Sequence, residues 1–126
     1  MPSKSLLQPQ EIEVFYVIPT LRKYIAIAMK KNGLKQKQIA SLLDIEDATV
    51  SQYVNDKRGN KIALSNEIQK EINKSSLLIK DKISLIREMQ KLLRLIQETR
   101  EICKIHKTLA DVPQDCSQEA VLCYRK

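Results

Sequence analysis

The residues best equipped for chemistry lie near the end of the chain. All three cysteines and the only histidine fall in one stretch, spaced Cys103-x2-His106-x9-Cys116-x6-Cys123. On a helix, Cys103 and His106 share a face and can converge on one ion. Three thiolates and one imidazole suit tetrahedral zinc, and equally an iron–sulfur cluster. Cys103, His106, Cys116 and Cys123 are therefore candidate ligands, and a cluster at the end of a helix suits a sensory switch. The paired C-x2-C knuckles of a zinc ribbon are missing. The same residues also fit a thiol-based redox switch, or a seam cysteine, a surface histidine and two plain tail thiols. The chain has no Gly-rich phosphate loop, no paired catalytic carboxylates and no Ser/His/Asp arrangement, so an enzyme is not expected.

A second set of polar residues sits on a short element in the first half. Two apolar-periodic segments, Gln36–Leu43 and Asp47–Val54, flank Asp44, Ile45 and Glu46. Ile39, Ala40, Leu42 and Leu43 read as inward on the first. Ala48, Val50, Tyr53 and Val54 read as on or near the buried side of the second. Two helices of about eight residues joined by so short a turn fit a helix-turn-helix, whose second helix enters a DNA major groove. Ala40 is small where the helices cross, and Ile45 plugs the turn. The N-terminal part of the second helix then offers Asp47, Ala48, Thr49, Ser51 and Gln52 to base edges. Gln52 can bond bidentately to adenine, and the Ala48 or Thr49 methyl can meet a thymine methyl. Lys35, Lys37, Asn55, Lys57, Arg58, Asn60 and Lys61 are candidate phosphate ligands.

The pattern formed by Gln36, Ile39-Ala40, Leu42-Leu43, Ile45, Ala48, Val50-Ser51 and Tyr53 resembles the lambda-repressor-like helix-turn-helix domains of transcriptional regulators, of the xenobiotic-response-element type. Over roughly residues 9–60 the chain is similar to a group of small archaeal regulators. The resemblance implies that Gln36 contacts the DNA backbone and supports the recognition helix, and it adds weight to Arg58 beside Gly59. Two residues depart from the family pattern. Asp44 stands where the turn often has glycine, and aspartate tolerates positive φ better than most residues. Asp47 stands where a glutamine often reads a base. It can accept from cytosine N4 or cap the helix, and capping is the favoured expectation. With Glu46 beside it, the reading face is acid-tinged, which suits a dimer that spreads its contacts over two half-sites.

The net charge of +7 and pI of about 9.4 fit a polyanionic partner. Residues 1–62 carry 10 basic and 6 acidic side chains and residues 63–126 carry 12 and 9, so charge does not single out one half. No apolar run approaches the roughly 18–20 residues of a membrane span. The start, MPSKSLLQPQ, is too short and polar for a secretory signal, so a cytoplasmic protein is expected. An odd cysteine count does not suggest a disulfide framework.

These features predict an all-α chain with a flexible leader (1–10), a helix-turn-helix DNA-binding domain (11–64), a helical dimerisation stalk (65–109) and a Cys-containing tail (110–126). Glu11–Ile18 reads as helical or extended. Pro19 opens a helix over Thr20–Lys31, with Leu21, Tyr24, Ile25, Ala28 and Met29 inward, and Asn32-Gly33 caps it. Another helix starts at Ser65, with a break near residues 73–76. Leu77–His106 then carries apolar rows without Gly or Pro: Leu78, Leu85, Leu92, Thr99; Ile79, Ile86, Leu93, Arg100; and Lys82, Met89, Ile96, Cys103, in which Lys82 is discordant. One helix of that length spans about 45 Å and predicts a homodimer. The alternative is a helix folded back on the head. The function expected is a homodimeric, sequence-specific transcriptional regulator on double-stranded DNA, with no small-molecule substrate. The alternative is a protein-interaction module, an antitoxin or coactivator, that binds DNA weakly.

Overall fold

The computed structural model describes residues 8–55 and 64–109, with the backbone alone for residues 106–109. The regular elements among the described residues are all helices, with no strand. The helices are α1 (Pro9–Ile12), α2 (Ile18–Lys31), α3 (Gln36–Leu43), α4 (Asp47–Asn55), α5 (Asn66–Leu78), α6 (Lys82–Glu98) and α7 (Glu101–Leu109).

Glu13–Val17, between α1 and α2, is neither extended nor a break. It is a wide π turn in which the Ile18 N–H donates to the Glu13 carbonyl. Pro19 follows at once. A proline inside a regular helix removes a hydrogen bond and crowds the carbonyl four residues back. The widened turn lets the chain stay helical past it. From there Leu21, Ile25, Ala28 and Met29 form the buried stripe of α2, with Tyr24 partly buried.

Gly33 ends α2 at φ 94, and the Leu34 N–H returns 3.1 Å to the Met29 carbonyl. A β-carbon here would meet nothing within 4 Å. The requirement for glycine is conformational alone, and Gly33→Ala is expected to cost about 1 kcal/mol. Chemical denaturation of the two chains would measure it; an unchanged midpoint would contradict the positive φ.

The long helix predicted over residues 77–106 does not exist as one helix. The expected break near residues 73–76 is absent too, because the serines there have partners. Ser76 Oγ donates to the Asn73 carbonyl at 2.7 Å, and both Ser75 and Ser76 are buried. The chain breaks instead at Ile79, which leaves the helix in an extended conformation and is buried. Asp81 then caps α6: its Oδ1 accepts from the Ser84 N–H at 2.7 Å, and Ser84 Oγ accepts from the Asp81 N–H at 2.9 Å. The bond from the Ser84 N–H, and second the Ser84 hydroxyl, which donates to Asp81 Oδ1 at 2.7 Å, hold the Asp81 carboxyl below the usual range. A second break falls at Arg100, at φ 62.

The three resulting helices fold back on the first half. Ile68 and Ile72 of α5, Leu92, Leu93 and Ile96 of α6, and Ile102 and Ile105 of α7 join Ile12, Leu21, Ile25, Met29, Ile39 and Val50 in one core. Helix α5 packs on α2, α6 touches α3, and α7 packs on α1. The apolar rows that suggested a seam between two chains are largely spent inside one.

Candidate nucleic-acid interface

Helices α3 and α4 are joined by Asp44, Ile45 and Glu46. Asp44 takes the left-handed conformation at φ 55, and the Ile45 N–H bonds the Ala40 carbonyl at 3.0 Å. Ala40 is buried at the crossing, Ile45 packs against the core, and Val50 is fully buried. Across the pair, the Gln36 side-chain amide donates to the Asp47 carbonyl at 2.9 Å. That bond ties the first residue of α4 to the first residue of α3 and holds the angle between the helices.

The outward face of α4 is polar. Asp47, Ala48, Gln52 and Asn55 are exposed, and Thr49 and Ser51 are half-buried at its margins. Ala48 was expected on or near the buried side, yet it is exposed. Residues 48, 52 and 55 share the helix face opposite Val50. Asn55 Nδ2 donates to Ser51 Oγ at 3.4 Å, so these two act as a unit. Gln52 offers a donor and an acceptor to whatever approaches. Asp47 is not the N-cap. The Thr49 and Val50 N–H groups bond the Glu46 carbonyl at 3.0 and 3.1 Å, which makes Glu46 the cap and Asp47 the first helical residue. Its carboxylate favours the helix N-terminus through the dipole.

Lys35 and Lys37 are exposed at the start of α3. Lys57, Arg58, Asn60 and Lys61 lie outside the described residues. Sequence reasoning missed Lys82, whose Nζ lies 3.7 Å from Asp44 Oδ1. It brings the start of α6 to the α3–α4 turn. Its discordance among apolar row members was the one available signal.

Of the Cys/His set, only Cys103 has its side chain among the described residues. Cys103 is half-buried against the core, which fits a packing role. His106 follows at i+3 on α7, its side chain outside the described residues, as are Cys116 and Cys123. No group of three His, Cys, Asp or Glu that could hold a metal occurs among the described residues. None of their helices is long and apolar enough to cross a membrane.

No protein-family model, curated protein or solved structure matches the chain.

Proposed function

We propose that the chain is a sequence-specific DNA-binding transcriptional regulator that works as a homodimer, with α3 and α4 as its helix-turn-helix and α4 as the reading helix. The observation that carries this is the clamp on α4. Val50 is buried beneath it and Gln36 holds its first residue, while Ala48, Gln52 and Asn55 face outward. A short helix fixed at its inner face and polar on its outer one can enter a major groove without rearranging. The +7 charge supplies sequence-independent attraction to phosphates. Gln36, Lys35 and Lys37 flank the reading helix and suit backbone contacts.

The test is selection of bound sequences from random DNA, followed by Thr49→Ala and Gln52→Ala. Each substitution is expected to reduce discrimination at one or two base positions by roughly 10- to 100-fold, with little change in binding to unrelated DNA. Unchanged selectivity would show that α4 does not read bases.

A further inference from the structure

Six large apolar side chains stay exposed among the described residues, and four of them lie within ten residues: Leu77, Leu78, Ile83 and Ile86, at 62, 47, 73 and 59% exposure. The break at residues 79–81 turns the chain between α5 and α6, so both helices bring their share to one corner. The wide apolar stripe of this stretch thus divides in two. Ile79, Leu92, Leu93 and Ile96 face the chain's own core, and the other part faces water.

We infer that this corner is where two copies of the chain pair, which rests on the DNA-binding reading above and supplies the dimer surface that reading needs. The four side chains expose on the order of 400 Å² of apolar surface, comparable to the largest patch a typical monomer carries, a size that often marks a functional surface. A standard interface buries about 800 Å² per partner, a little over half of it apolar. The corner therefore supplies the apolar share of one such interface. Its charges suit a second copy as well. Lys80 and Lys82 are exposed at the break. The exposed carboxylates of Asp44 and Glu46 lie in the α3–α4 turn, which adjoins through the Lys82–Asp44 contact. In a two-fold pairing one copy's cations meet the other's carboxylates. The corner also lies beside the turn that carries the reading helix, so pairing there sets the two reading helices in a fixed relation.

The experiment compares the full chain with an Ile83→Glu/Ile86→Glu variant, by sedimentation equilibrium without DNA and by binding to selected DNA bearing one or two half-sites. The parent chain is expected to dimerise, with a melting temperature that rises with concentration, and the variant to stay monomeric with an unchanged far-ultraviolet circular dichroism spectrum. On two half-sites the variant is expected to bind about 100-fold more weakly, and on one half-site equally well. Leu77→Gln repeats the test with a milder change should the double variant lose helical content. A parent chain that is monomeric both free and on two half-sites overturns the inference, whether or not another protein binds it. So does a variant that pairs as tightly as the parent. Pairing that the variant abolishes, in a chain that binds no DNA, supports the corner and overturns only the DNA reading.

Discussion

Ile96→Ala is expected to lower the stability of the whole chain by about 3–4 kcal/mol, although Ile96 lies far in sequence from the reading helix. The side chain is 1% exposed and belongs to the same core as Leu21, Ile25 and Val50. Truncating it leaves a cavity in that shared core. In a chain of this size that loss lowers the melting temperature by roughly 10–15 °C. The chain has no tryptophan and four tyrosines, of which Tyr16, Tyr24 and Tyr53 lie in the first half. Tyrosine fluorescence therefore reports mainly on the first half, and far-ultraviolet circular dichroism on all the helices. Both signals should shift together in the variant. A tyrosine transition left in place while the dichroism moved would mean that α6 folds apart from α2–α4.

Glu88→Ala is the second large effect, expected at about 2 kcal/mol. Glu88 is a carboxylate at 1% exposure. It accepts from Arg87 Nε at 2.9 Å and Lys91 Nζ at 3.2 Å, and bonds the buried Ser75 hydroxyl. Breaking a fully buried ion pair costs about 3–5 kcal/mol because a charge is stranded. Here both cations are 57% exposed and can return to water, so the cost is nearer that of the lost charged hydrogen bonds and the stranded serine. Burial pushes the Glu88 carboxyl up. The bonds from Arg87, Ser75 and Lys91, with the Lys91 charge, outweigh it and hold the group below its ordinary 4.5. A carboxyl depressed in the folded state binds its proton more readily when unfolded. Its contribution is complete above pH 4.5 and is lost as pH falls through the folded value. Melting temperatures of the parent chain and Glu88→Gln should therefore differ at pH 7 and converge in acid. A constant gap from pH 7 to pH 3 would count against the charged pairing.

Residues that fix their own local geometry were legible in sequence. Gly33, Asp44, Ala40 and the apolar spacing of α2 and α3 announced their roles because each acts within a turn or two of itself. Where α5, α6 and α7 break was harder to see. Asp81 and Ser84 make a good cap, but they sit in a run that otherwise favours helix, and Arg100 takes a left-handed conformation without being glycine. Two traces were visible: Lys82 interrupts an apolar row, and two rows turn polar together at Thr99 and Arg100. What apolar spacing does not carry is the identity of the neighbour. Leu92 and Ile86 look alike on a helical wheel, yet one lies in the chain's own core and the other in water. Glu88 was invisible for the same reason, since a glutamate between arginine and lysine normally marks a wet face.

The π turn at Glu13–Val17 also bears on how distant kin of this chain would align with it. Ile12 and Val17 are both fully buried. At the ordinary 100° per residue they would lie about 140° apart; bonding across five residues brings them back toward one side. The turn thus absorbs one additional residue between the part of the helix that meets α7 and the part that meets α5. A protein built to the same plan without Pro19 would hold both contacts with one residue fewer. Its alignment with this chain would show a single-position gap inside a continuous helix, where gaps are usually scored as errors.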